Sequence, residues 1–168
     1  MGGRVALEII RLEPQRVTGL ALLNTGVHGV RDGEPQSRAR LVRIAQERGM
    51  SVLAAEWLPM LMGSDSARAA ELMPQLTAMI ERCTAQSYAE QMHAMLHRPE
   101  VLSLLPSISV PTLLLSGSDD LSSPVSQQSI RRKVPHATLF EIHGAGHMAP
   151  LERPDSVAIA LREWLLRI

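Results

Sequence analysis

Three short and almost unbroken apolar runs constrain this chain more than any other feature. Residues 17–23 (VTGLALL) run into Asn24, Thr25 and Gly26, residues 112–115 follow Pro111, and residues 137–142 follow Pro135. A run that short, with no polar alternation, suits a strand covered on both faces, as in a parallel sheet. Parallel neighbours need crossover connections, and helical patterns stand where the crossovers would run. In residues 4–13, Val5, Ala6, Ile9, Ile10 and Leu12 recur at three- and four-residue steps with Arg4, Glu8 and Arg11 opposite, which predicts a helix stopped by Pro14. Residues 124–133 predict a second, and Pro154 opens a third with Val157, Ala158, Leu161, Trp164 and Leu165 on one face. Strand and helix in turn imply an α/β fold with three parallel strands.

Residues 34–106 break that alternation, offering helical stretches and no strand. Gly49 is expected to end the first helix, Pro74 to start another, and Thr84 to cap the one running to His97. Six of the nine methionines, Met60, Met62, Met73, Met79, Met92 and Met95, fall between Trp57 and His97. The aromatics are only Trp57, Tyr88, Phe140 and Trp164, so the core must be aliphatic. The expected organisation is a core from residues 1–33 and 107–168 with a helical insert over 34–106.

Charge narrows the function classes. The chain has 17 Lys plus Arg against 17 Asp plus Glu, and its densest basic run is Arg131, Arg132 and Lys133, which reads as a solvated helix end. A surface that tracks phosphates needs a basic excess, so no nucleic acid partner is expected. No stretch approaches the roughly 20 apolar residues of a spanning helix, so no membrane partner is expected either. Cys83 is the one cysteine. It admits no internal disulfide, and with no charged-then-apolar leader in view a cytoplasmic protein is expected.

Chemistry concentrates at the ends of the last two strands. In residues 113–124 (LLLSGSDDLSSP) a buried strand ends at Gly117 and Asp119 and Asp120 follow. In residues 140–150 (FEIHGAGHMAP) another runs into a glycine-rich turn presenting His147. Ligands of parallel sheets bind beyond the carboxyl ends of strands. An isolated Asp there is ordinarily a turn or cap residue, but an acid and a glycine-flanked histidine on neighbouring strands form a functional pattern. His93 and His97 have ligand spacing, but without the glutamate of the zinc protease signature or a third ligand they read as surface residues. Cys83 reads as a small buried residue, and His143 as filling the end of a strand. No metal and no cofactor is expected.

These motifs resemble the C-terminal part of the α/β-hydrolases. Met1-Gly2-Gly3 and the helix after it are similar to the segment just beyond the nucleophile in the family's common form, Gly-His-Ser-Met-Gly-Gly. Residues 17–24, 112–116 and 137–142 resemble the sixth, seventh and eighth strands, and 34–106 the helical cap. Gly117-x-x-Asp120-x-x-Ser123-Pro124 and Gly144-Ala-Gly-His147 resemble the acid and histidine motifs, in the family order of Ser, Asp, His. The resemblance implies a partial α/β-hydrolase fold in which His147 is general base and acid, Asp120 its partner, and the Met1 backbone N–H an oxyanion-hole donor. Asp119 is the structural alternative to Asp120. Trp57, Met60 and Leu61 either fill the cap core or line a pocket for a small apolar ester-like substrate.

One departure matters as much as the match. The sequence holds no Gly-x-Ser-x-Gly, and only Gly29 and Gly33 have its spacing, with Arg31 between them. By resemblance the serine would precede Met1, so the chain is expected to be inactive alone. Two readings remain: a serine hydrolase without its nucleophile segment, or a non-catalytic module that binds a ligand or partner. Absent strands would leave the edge of the 17–23 strand bare and the 4–13 helix uncovered, so self-association, or association with a missing N-terminal half, is expected there.

Overall fold

The structure is a computed structural model describing residues 1–168, with Ser66 described by its backbone alone. In chain order the elements are α1 (Gly2–Leu12), β1 (Leu20–Leu23), α2 (Glu34–Arg48), α3 (Met50–Trp57), α4 (Ser66–Glu81), α5 (Ala85–Leu96), β2 (Thr112–Gly117), α6 (Ser123–Lys133), β3 (Thr138–Ile142), α7 (Ala149–Glu152) and α8 (Pro154–Leu165). They form two compact units, one of Met1–His28, Met62–Asp65 and Glu100–Ile168, the other of Gly29–Leu61 and Ser66–Pro99.

The first unit is a three-layer α/β arrangement. Its sheet has the order β1-β2-β3 with both pairings parallel, Leu22 facing Leu114 and Leu114 facing Leu139. Successive side chains of a strand point to opposite faces, and the leucine run of β2 uses both. Leu114 and Leu22 pack with Leu7 and Ile10 of α1 and Ile130 and Val134 around the end of α6. Leu115 and Ile142 pack with Val157 and Ala160 of α8.

Coverage of both faces holds along the whole of β2 but not of β3, where Leu139 is exposed, because β3 is an edge strand. β1 is also shorter than the apolar run. A 3-10 turn, Pro14–Arg16, takes up the chain as far as the Val17 N–H, and pairing starts where the Leu20 N–H meets the Pro111 carbonyl at 2.9 Å.

α1 corrects the expected orientation. Its buried ridge is Arg4, Leu7 and Ile10, while Val5, Ile9 and Leu12 are exposed. The helix has two apolar stripes, and Arg4 joins the buried one because its guanidinium donates to the His28 carbonyl, which gives the charge a polar partner inside.

The second unit is helical. Ile44, Ala45, Leu53, Tyr88 and Met92 form its core, with Trp57 half-buried and its ring edge-on to Tyr88 at 6.0 Å. Arg98 makes a bidentate pair with Glu34, both contacts at 2.8 Å, and holds the Glu34 carboxyl down to about 2 against the opposing effect of burial.

Thr84 caps α5, its hydroxyl accepting the Ser87 N–H at 3.0 Å. Pro74 does not start a helix but lies inside α4, where buried Leu72 and Leu76 on either side offset a cost of about 3 kcal/mol for an interior proline. Cys83 is exposed rather than buried, since it falls in the short break between α4 and α5. Among the described residues, no helix is long and apolar enough to cross a membrane.

Candidate active site

Two loops meet at the carboxyl end of the sheet. The first leaves β2 at Gly117, whose missing side chain is a requirement: a Cβ there would lie 2.2 Å from the Ala145 carbonyl oxygen. The close approach lets the Ser118 N–H reach the Ile142 carbonyl at 3.0 Å and the Asp119 N–H reach that of Ala145 at 2.9 Å. The second loop leaves β3 through Gly144, at φ +66, a left-handed turn that glycine takes without strain. Its N–H donates to the Ser118 hydroxyl at 2.9 Å, and that hydroxyl donates to Asp119 at 2.7 Å.

The loops bring Asp120 and His147 together. Nδ1 of His147 lies 2.6 Å from Oδ2 of Asp120, whose other oxygen accepts the Ser122 N–H at 3.1 Å. The carboxylate is 5% exposed and the imidazole 42%. Burial pushes the Asp120 carboxyl up, but the hydrogen bond from His147, the Ser122 N–H, the imidazole charge and the Ser123 hydroxyl outweigh it, so the pKa lies below the ordinary value. An ionised carboxylate only accepts, so Nδ1 carries the proton and Nε2 of the neutral ring keeps its lone pair. A half-exposed imidazole held in that tautomer can take a proton from a hydroxyl and return it.

Asp119 serves a different purpose. It accepts the Ser64 N–H at 2.8 Å, and the Ser64 and Ser118 groups hold its carboxyl down to about 2. Two further residues, neither assigned a role from the sequence, complete the frame. Glu152, 4% exposed, accepts backbone N–H groups from Gly63 and Gly146, and Asn24, at the end of β1, bonds to both loops. The signal for Asn24 was present, as an amide directly after an apolar run. Glu152 gave none, because a buried carboxylate reads like an exposed one.

The other candidates fall elsewhere. Met1 stands at the N-cap of α1, its carbonyl accepting the Arg4 N–H at 2.9 Å. Trp57, Met60 and Leu61 belong to the helical unit, Met60 exposed and the other two half-buried. The rings of His93 and His97 lie 4.0 Å apart, tilted by 33°, and among the described residues no group of three or more potential metal ligands occurs. His143 does not fill the strand end but projects outward, 89% exposed, because Gly144 turns the chain just beyond it. A shallow cleft of about 150 Å³ opens between Thr112, Thr138, His136 and Trp164, at the opposite end of the strands from His147.

Comparison with known proteins bears on the fold. An esterase from Thermogutta terrifontis superposes with a TM-score of 0.90 at 31% identity, over 99% of this chain and 62% of that one. The 3-oxoadipate enol-lactonase 2 of Acinetobacter baylyi is 27% identical over 99% of this chain and 61% of its own length. A proline iminopeptidase of Lactobacillus helveticus is 36% identical over 42% of this chain and 24% of its own. The chain therefore spans less than two thirds of each of these relatives. The family model described as "Alpha/beta hydrolase family" matches residues 1–160, and with three parallel strands flanked by helices and the acid and histidine loops at one sheet end, the chain belongs to the α/β-hydrolase family.

Proposed function

We propose that this chain carries the acid and histidine of a serine hydrolase acting on small apolar esters or lactones, and that it turns over no substrate without a serine-bearing segment. The observation that carries the reading is the 2.6 Å contact between His147 Nδ1 and Asp120 Oδ2, which leaves Nε2 to accept a proton. In the complete site His147 takes the serine proton as the oxygen bonds to the acyl carbon. It then gives that proton to the leaving alkoxide as the ester bond breaks, and a water repeats the cycle to free the acid. Asp120 orients the ring and stabilises its cation. The Met1 N–H serves as an oxyanion donor. The names of the relatives, an esterase and an enol-lactonase, support the substrate class.

The exposed stripe Val5, Ile9 and Leu12 and the free edge of β1 are, on this reading, the surface against which the serine-bearing polypeptide packs. The test is to read the coding sequence upstream of Met1 for an in-frame Gly-x-Ser and to assay the extended chain on activated short and medium esters. Turnover that falls by about 10³-fold or more in His147→Ala supports the reading. A stop codon with no such pattern, or turnover indifferent to His147, favours a non-catalytic binding module.

A further inference from the structure

We infer that Asn24 is the positioning residue that sets the His147 imidazole against Asp120, an assignment that rests on the hydrolase reading of that pair. Asn24 is buried, 7% exposed, at the carboxyl end of β1. Its φ of +48 is the one left-handed value among the described non-glycine residues. Asparagine tolerates that region better than most side chains, and it holds a conformation other residues would leave.

Each end of the amide is committed. Nδ2 donates to the His147 carbonyl at 2.7 Å and the Gly146 carbonyl at 3.3 Å, while Oδ1 accepts the Gly117 N–H at 2.8 Å and the Ser123 hydroxyl at 3.1 Å. Four bonds use the whole capacity of a carboxamide. The polarity fixes the residue type, since the carboxylate of an aspartate would set negative oxygen against two carbonyl oxygens.

The placement is as specific as the chemistry. β1 is not a neighbour of β3 in the sheet, yet Asn24 reaches past the end of β2 to the loop that leaves β3. Gly117 and Ser123 bracket Asp120 three residues away on either side, and Gly146 and His147 are the histidine and the residue before it. One side chain thus grips the backbone that carries the acid and the backbone that carries the base. Asn24 touches neither reacting atom. It acts through the angle and distance at which Nδ1 meets Oδ2.

The test reads the His147 tautomer by two-dimensional 15N NMR of the full chain in its neutral imidazole form, a signal that loss of stability alone does not move. Wild type shows the Nδ1–H form, and Asp120→Ala, the reference for a lost partner, shifts to the Nε2–H form that free imidazole favours. Asn24→Gly keeps the left-handed backbone at ease and deletes only the amide, and Asn24→Asp keeps the shape and deletes the donor. Both are expected to turn Nδ1–H from the dominant species into the minor one while melting cooperatively. Variants that fold and keep the wild-type tautomer overturn the inference and leave the hydrolase reading intact, whereas a wild-type chain without the Nδ1–H form overturns both. Should neither variant fold, wild type is warmed below its midpoint. Exchange of the Asn24 amide protons should rise together with loss of the Nδ1–H form, and loss of that form while Asn24 stays protected overturns the inference.

Discussion

The buried Glu152 carboxylate accepts the N–H of Gly146, the residue before His147, at 3.0 Å, and spends its second oxygen on the N–H of Gly63 at 2.6 Å. A carboxylate with so little exposure is held by those two donors, and each donor in turn depends on it. Glu152→Ala leaves two N–H groups without their acceptor and should cost about 3 kcal/mol. For a chain of this size that lowers the melting temperature by roughly 6–12 °C. Glu152→Gln turns an amide nitrogen toward one of the donors and should fall between, as calorimetry of the three proteins would show.

Gly117 and Gly29 form a matched pair. A Cβ at position 117 would meet the backbone oxygens of Ala145 and Gly146 at 2.2 and 2.4 Å, whereas one at position 29 meets nothing within 4 Å. Gly117→Ala must push the acid and histidine loops apart, so it should lower the melting temperature sharply or abolish folding. Gly29→Ala should stay within about 0.5 kcal/mol of wild type by denaturant titration.

Acid should loosen the helical unit through Glu34. Its carboxyl is held at about 2 against an ordinary 4.5, so the folded state favours the charged form. The stability from the Arg98 pair is then fully present above pH 4.5 and lost as pH falls toward 2. Arg98→Met should be less stable at neutral pH and show a flatter loss across that window. Chemical denaturation followed through Trp57 at stepped pH measures both slopes.

The isolated chain should self-associate. β1 has one unpaired edge, and Val5, Ile9 and Leu12 expose an apolar stripe on the helix packed against it. Bare edges and apolar stripes promote association. Light scattering should show a mass that rises with concentration, and Val5→Lys with Ile9→Glu should reduce it. A wild-type chain that stays monomeric at high concentration rules this out.

The sheet was legible because β1 and β2 are nearly unbroken apolar runs and β3 a mostly apolar one, closed by proline and glycine, a signal that survives without any partner in view. The meeting of an acid and His147 was legible for the same reason, since both follow such runs. Which acid turns inward came from the resemblance of Gly117-x-x-Asp120-x-x-Ser123-Pro124 to an acid motif, not from the turn chemistry itself. Asp119 and Asp120 differ by one residue in a turn, and the choice is made by the Ser64 N–H and the Ala145 carbonyl, both distant along the chain. The buried face of α1 was hidden too. Arg4 looks solvent-bound until the His28 carbonyl is found beside it, and the helix offers two apolar stripes of which packing selects one. Pro74 misled because a start signal and a tolerated interior proline look alike when the burial of Leu72 and Leu76 is unknown.

The four residues Met62–Asp65 hold one further consequence, in the order of events as the chain is made. Ser64 waits for Asp119, 55 positions later, Gly63 for Glu152, 89 positions later, and Asp65 for Arg153, 88 positions later. During synthesis these three partners emerge long after the stretch does, at ribosomal rates of about 5–20 residues per second. The helices on either side can therefore form while their midpoint is still untethered. Its anchorage then arrives in two steps, Asp119 first and Glu152 with Arg153 only as the last turns before α8 leave the ribosome. A nascent chain stalled ahead of Glu152 should accordingly carry helices yet remain open to proteases around residue 63, and closure of that cut site would time the final step of folding.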